Sequence, residues 1–267
     1  MALFKKNKGP EMVEREDGLI DYNIYVMKKG ERILNIIIAA IVLFGVGYIF
    51  YKNPSLSALL ALLAFKWPKM RTKQLLEKRK KDLTVQFKDM LYSLSSSLSA
   101  GKSVESALKE VLNDLRIIYP DEDAYIIQET SYIVRGLEMN ETVEDMFGQF
   151  AERSHMEDIE NFTDIFKICK RTGGDIAQVI RSTSQTIGEK IDIQQEIATM
   201  ISGKKFEFKA LMAMPIFLLL LLTYTAGDYM APVFDFSLVV GPVVMTIAIA
   251  LFAAAYFIGT KIMKIDV

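Results

Sequence analysis

The chain has 267 residues, a formal net charge of −1 and 51% hydrophobic residues, with a single cysteine and a single histidine. The lone Cys169 excludes an intramolecular disulfide, and so few cysteines and histidines nearly exclude a zinc site of the usual ligand types. The apolar residues are concentrated in four runs, at 33–51, 56–65, 210–226 and 236–258. Apolar runs of about 17 to 25 residues are long enough to cross a bilayer as helices, so the sequence predicts an integral membrane protein.

Residues 1–32 are predicted to be an N-terminal cytoplasmic tail, and residues 33–67 a first transmembrane hairpin. The tail lacks the short basic start and the small-residue cleavage site of a secretory signal. The second half of the hairpin, from Pro54 to Trp67, is only about 21 Å long as a helix, shorter than a hydrocarbon core of roughly 30 Å. A short span is favoured over a re-entrant or interfacial segment, which would place the basic stretch 66–81 outside.

Residues 68–209 have the three-and-four apolar spacing of amphipathic helices. One pattern recurs at three of the predicted helix junctions. Its first residue is Gly or Asn, which tolerate the left-handed conformation that ends a helix. Its third is Ser, Thr or Asp, which cap the next helix. We therefore assign structural roles at these turns to Gly101, Ser103, Asn140, Thr142, Gly173, Gly174 and Asp175.

The predicted fold class is all-α, with four transmembrane helices and a cytoplasmic bundle of six antiparallel helices in three helical hairpins. The sixth helix starts at Asp175 and has no obvious stop before Gly203, so it is expected to run almost directly into the third span. Residues 210–259 form the second transmembrane hairpin, and residues 260–267 a cytoplasmic C-terminal tail.

Lysine and arginine mark the cytoplasmic ends of membrane spans. They cluster before the first span, after the second, before the third and after the fourth, whereas the two short connectors carry little positive charge. This distribution predicts that both termini and the central domain are cytoplasmic.

No pattern of catalytic chemistry appears in the sequence. It contains no phosphate-binding G-x-x-x-x-G-K-[ST] loop and no H-E-x-x-H metal motif. The serine run from Ser93 to Ser99 is interpreted as a small-residue helix face that allows close packing. We therefore predict no enzymatic activity, no cofactor, no metal and no nucleic-acid partner.

Two charged surfaces are candidates for partner binding. Thirteen acidic residues lie between Asp121 and Asp164, against two arginines. A solvated helix face accounts for part of this excess, and a docking surface for a basic partner is the alternative. A basic stretch also follows the first membrane hairpin. The candidate partner residues are Lys73, Lys78, Arg79, Lys80, Glu144, Asp145, Glu157 and Asp158.

The segments Gln86–Leu91 and Leu98–Leu108, together with the glycine turn Arg171–Ile176, resemble the type II secretion system F domain. A single F domain between two membrane hairpins resembles the tight-adherence pilus platform proteins, TadB-like or TadC-like. Asn140 departs from the glycine common at such turns.

The resemblance implies a non-enzymatic inner-membrane platform of a type IV-like pilus or type II secretion machine. It implies coupling of a cytoplasmic ring ATPase to the insertion or extraction of pilin or pseudopilin subunits. It also implies a homo-oligomer, or a hetero-oligomer with a sister F-domain protein. A membrane signalling protein and a permease subunit with a helical relay domain are the alternatives. A permease is disfavoured because the spans carry no charged residue in mid-membrane.

Overall fold

The structure, a computed structural model, describes residues 21–24, 27, 29–234 and 240–263. Within these ranges the regular elements are helices and no strand occurs, in agreement with the all-α prediction. They are α1 (Lys29–Tyr51), α2 (Pro54–Ala61), a 3-10 helix (Leu62–Lys66), α3 (Trp67–Ser99), α4 (Val104–Ile118), α5 (Tyr125–Glu138), α6 (Val143–Ser154), α7 (Glu157–Thr172), α8 (Ile176–Thr225), α9 (Gly227–Phe234) and α10 (Val240–Ile262).

The chain divides into two compact units. The first, here called the central unit, contains the described residues up to Met27 together with Thr72–Ile193. The second, the span unit, contains the described residues of Lys28–Arg71 and Gln194–Val267. Residues 1–20 of the predicted N-terminal tail, residues 264–267 of the predicted C-terminal tail and the connector residue Asp235 lie outside the described residues.

Helix ends in the central unit are formed by local capping. Gly101, Asn140 and Gly173 have left-handed backbones, with φ of 84°, 65° and 74°. Each next helix opens with a side-chain cap, in which Ser106, Asp145 and Gln178 donate their backbone N–H groups to Ser103 Oγ, Thr142 Oγ1 and Asp175 Oδ1, respectively. A left-handed residue followed by a capping oxygen satisfies backbone groups that a helix end leaves unpaired. The junctions α3–α4, α5–α6 and α7–α8 therefore have the predicted turns, while α5 and α7 begin without a side-chain cap. The arrangement of α3 to α8 as antiparallel hairpins stays a prediction.

The core of the central unit contains an aromatic cluster. Phenylalanines from α3, α6 and α7 are fully buried and meet mainly edge to face, with ring centroids 5.2 to 5.9 Å apart. Such pairs contribute about 0.5–1.5 kcal/mol each beyond the burial of their area. The cluster comprises Phe87, Phe147, Phe150, Phe162 and Phe166.

In the span unit, α1 packs against α2 and the 3-10 helix. Gly47 makes this approach possible, because a Cβ added there would lie only 3.0 Å from the Cα of Ser57. Small residues at helix contacts are typical of helices that associate in a membrane. Tyr51 lies 2.9 Å through its hydroxyl from Thr246 Oγ1 of α10.

Three described helices are long and apolar enough to cross a membrane: α1, α8 and α10. The predicted second span is not a single α-helix. It consists of α2, with eight residues, followed by the 3-10 helix, with five. Their backbone runs on into α3 without a non-helical residue. A fourth crossing at this position stays a prediction. The predicted sixth helix and third span form one continuous helix, α8, of 50 residues.

Candidate functional site

The predicted basic partner surface lies in the first half of α3, but its residues have different environments. Lys73 and Lys78 are exposed. Arg79 is only 3% exposed. Its Nη1 donates to the carbonyl oxygen of Ile24 at 3.2 Å, and its guanidinium carbon lies 5.7 Å from the ring centroid of Tyr125. Arg79 therefore binds a segment of its own chain, and the prediction that it belongs to an exposed surface is wrong.

Lys80 is also engaged within the central unit. Its Nζ donates to Asn23 Oδ1 and to the carbonyl oxygen of His155, each at 3.1 Å. His155 ends α6 with a left-handed backbone, two residues before Glu157 opens α7. Lys80 thus lies beside the start of α7, whose first turn is acidic.

The predicted acidic residues do not form one surface. Glu144 lies in the first turn of α6 and accepts at 2.7 Å from the Nζ of Lys170, a residue near the end of α7. Lys170 lies 13 positions beyond Glu157 along α7, which is about 20 Å at 1.5 Å per residue. The structure therefore separates Glu144 and Asp145 from Glu157 and Asp158.

These acidic residues also differ in their partners. Asp158 accepts from Lys190 Nζ at 2.9 and 3.1 Å, and Asp145 accepts from the hydroxyl of Thr142 at 2.7 Å. Glu157 is exposed in the first turn of α7, within two residues of the carbonyl group that binds Lys80. Lys73, Lys78, Asp145 and Glu157 are the predicted partner residues that are exposed.

The serine run on α3 faces two neighbouring helices. Ser93 donates to Asp114 at 2.5 Å and Ser97 to Glu110 at 2.9 Å, both on α4. On the other side, Arg181 of α8 donates to Ser99 at 2.8 Å. Ser93, Ser95 and Ser97 are buried, so the predicted small-residue packing face is confirmed for these three residues, whereas Ser96 and Ser99 are exposed.

A groove of about 540 Å³ follows this α3–α8 contact. It contains two cationic side chains, and the hydroxyl of Ser184 at its edge donates to the carbonyl oxygen of Lys88 at 3.3 Å. Hydroxyl and cationic groups therefore lie among the side chains that line the groove. Its lining comprises Lys88, Tyr92, Ser95, Ser96, Ser99, Arg181, Ser184 and Gln185.

A buried polar cluster joins Tyr22, Glu129 and Arg153. The Tyr22 hydroxyl donates to Glu129 Oε1 at 2.9 Å, and Arg153 Nη2 donates to Glu129 Oε2 at 2.5 Å. Burial raises the pKa of the Glu129 carboxyl more than Arg153 and Tyr22 lower it, and burial also raises the pKa of Tyr22. A buried charge is stable only when it is paired and hydrogen-bonded, and here each carboxylate oxygen of Glu129 has a donor.

None of these three residues was among the predicted sites, although the sequence contains one signal of the cluster. Glu129 follows Ile126 by three residues and precedes Ile133 by four, which places a carboxylate on the apolar stripe of its helix. The partners of that carboxylate are distant in the chain and have no local signature. In the described part of the chain, no group of three or more His, Cys, Asp or Glu side chains is arranged to hold a metal ion.

Comparison with known proteins identifies one family. The model of the family "Type II secretion system (T2SS), protein F" matches residues 85–223, which is more than half of the chain. The match begins in α3 and ends near the end of α8, and so covers helices of both units. No curated protein and no solved structure matches the chain. The chain therefore belongs to the type II secretion system protein F family, whose members are inner-membrane platform components of type II secretion and type IV pilus-related machines.

Proposed function

We propose that this protein is the platform of a tight-adherence-type (Tad) pilus, in which it couples a cytoplasmic ring ATPase to the insertion or extraction of pilin subunits. In this proposal the chain crosses the inner membrane four times, with the second crossing formed by α2 and the 3-10 helix. Both termini and the central unit are cytoplasmic, as the distribution of lysine and arginine favours.

The observation that best supports this function is the continuity of α8. Its first part buries Ile180, Ile187 and Ile191 in the core of the central unit. Its last part contains an apolar window long enough to span a membrane, none of which is buried within the protein. One helix of 50 residues, with Pro215 inside it, therefore contains both a face that packs in the central unit and an exposed apolar surface. This suits an element that is proposed to transmit movement into the membrane.

The ATPase is proposed to bind exposed charges of the central unit, among them Lys73 and Lys78 of α3 and Glu157 of α7. Charged groups at the rim of an interface guide association and specificity more than they add affinity.

Pilin helices are proposed to contact the span unit, where apolar side chains such as Leu211, Phe217 and Leu251 are exposed. Large exposed apolar surfaces on a membrane helix are positions for lipid or for another helix. The platform is proposed to work as a homo-oligomer or beside a sister F-domain protein.

Deleting the gene is the direct test. We expect the deletion strain to make pilin at normal levels but to display no surface pili, and a plasmid copy to restore them. Normal pili on the deletion strain would exclude the proposed function. A strain that loses protein secretion but keeps its pili would reassign the platform to a type II secretion machine.

A further inference from the structure

The chain segment just before the first membrane helix is bound to the central unit. Tyr22 is completely buried. Its backbone N–H donates to the carbonyl oxygen of Arg153 at 3.1 Å, and its hydroxyl donates to Glu129 Oε1 at 2.9 Å. Its ring meets that of Tyr125 edge to face, with centroids 5.7 Å apart. A residue bound through its backbone, its ring and its hydroxyl occupies a specific site rather than a passing surface contact.

The same segment is also held from α3. Arg79 donates to the carbonyl oxygen of Ile24, and Lys80 donates to the side chain of Asn23. Residues 21–24 are therefore bound by side chains or backbone of α3, α5 and α6. Arg79 and Glu129 are almost completely buried. Removal of the segment would therefore expose these charged groups or take one hydrogen-bond partner from each.

We propose that residues 21–24 form a latch that ties the start of α1 to the central unit. Residues 25–28 join Ile24 to Lys29, the first residue of α1. A chain of that length reaches at most about 18 Å. With the latch bound, the α1–α2 hairpin is connected to the central unit at both ends: by the latch before α1 and by α3 after α2. With the latch released, only the α3 connection remains.

The latch gives the hairpin two states that differ in freedom of movement. The bound state transmits a displacement of the central unit to the start of α1, and the released state does not. Such a difference requires a segment that can be either bound or released, and the contacts that hold residues 21–24 are those of Tyr22, Arg79 and Lys80. This inference depends on the contacts of Tyr22 and not on the proposed pilus function.

Hydrogen–deuterium exchange of the full-length protein in detergent micelles tests the latch. We expect peptides covering residues 21–24 to exchange slowly in the wild type, because the Tyr22 amide is hydrogen-bonded to Arg153. Tyr22→Ala should lose this protection entirely, while Tyr22→Phe, which keeps the ring and loses the hydroxyl, should lose part of it. Tyr92→Ala, a tyrosine that is 74% exposed on α3, is the matched control and should leave exchange at residues 21–24 unchanged.

Peptides from α4 and α7 report whether each variant is folded. Wild-type residues 21–24 that exchange as fast as an unfolded chain would overturn the latch, and this arm requires no variant to fold. Protection that survives Tyr22→Ala would overturn it as well. Neither result depends on pilus assembly, so failure of the latch and failure of the proposed function are distinguishable.

Discussion

Glu129 and Arg153 form a buried ion pair across α5 and α6. Arg153 Nη2 lies 2.5 Å from Glu129 Oε2, and the two side chains are only 3% and 2% exposed. The second carboxylate oxygen accepts from Tyr22, so both oxygens of Glu129 are hydrogen-bonded. The guanidinium also lies over the ring of Tyr132, with the centroid 5.1 Å away. A pair with these partners avoids much of the penalty that burial imposes on an isolated charge.

Removing one member of this pair should be more damaging than removing both. We expect Glu129→Leu and Arg153→Met each to lower the free energy of unfolding by about 3–5 kcal/mol, because each leaves an uncompensated buried charge. The double variant should lose much less than the sum of the two. Urea titrations of the four proteins in a Tyr22→Phe background would measure the coupling, and additive losses would contradict the pairing.

The buried carboxyl should also make stability depend on pH. Burial raises the pKa of Glu129 above its ordinary value of 4.5. The unfolded chain then loses this proton at lower pH than the folded chain, so the contribution of Glu129 is present below about pH 4.5 and is lost as the pH rises through the folded pKa. Relative to Glu129→Gln, the wild type should become less stable as pH increases from about 4.5. Urea titrations at several pH values would measure this difference in the free energy of unfolding. A wild-type stability that increases with pH relative to Glu129→Gln would mean that Arg153 lowers the pKa of Glu129 more than burial raises it.

The left-handed turn at Gly101 should resist substitution. Its φ is 84°, and a side chain in this region costs about 1–2 kcal/mol. Gly101→Ala should therefore destabilise the protein by about that amount. Gly203→Ala is the control, because Gly203 lies inside α8 with nothing within 4 Å of an added Cβ. That substitution should be neutral or stabilising by up to about 1 kcal/mol, and equal effects in thermal unfolding would contradict a specific role for the turn.

Charge reversal should separate the proposed ATPase surface from the fold. Lys73→Glu with Lys78→Glu, or Glu157→Lys alone, should weaken capture of the machine's ATPase by roughly tenfold or more, with the thermal unfolding temperature unchanged. Lys109→Glu is the matched control on α4, since Lys109 is exposed and pairs only with Glu138 at 3.2 Å among the salt bridges of the described residues. Wild-type capture by the first set of variants would remove these residues from the proposed interface.

Thiol labelling in intact cells would determine whether the segment formed by α2 and the 3-10 helix crosses the membrane. With four crossings, a cysteine at Lys73 should react with a membrane-impermeant reagent only after the cells are permeabilised. A cysteine at Tyr224, 93% exposed near the end of α8, should react without permeabilisation. Labelling of the Lys73→Cys variant in intact cells would favour a re-entrant segment. The native Cys169 is buried and gives a low background.

Local interactions made the secondary structure predictable. The apolar runs, the amphipathic spacing and the capping turns depend on residues within one or two helical turns of each other. The sequence alone therefore located the turns at Gly101, Asn140 and Gly173 and the family resemblance. The same reasoning located the start of α2. Pro54 is the first residue of this helix, and the side chain of Asn53 accepts from the backbone N–H of Ser55.

Contacts between distant residues were decided only by the tertiary structure. A basic stretch predicts exposed lysines and arginines, yet Arg79 is buried because Ile24 and Tyr125 complete its surroundings. Glu129 lies on the apolar stripe of its helix, but its partners Tyr22 and Arg153 come 107 residues before it and 24 residues after it. Sequence patterns report which side chains a helix presents along its own face. Whether a charge on that face meets water or a partner depends on which segment packs against it, and this is a property of the folded chain.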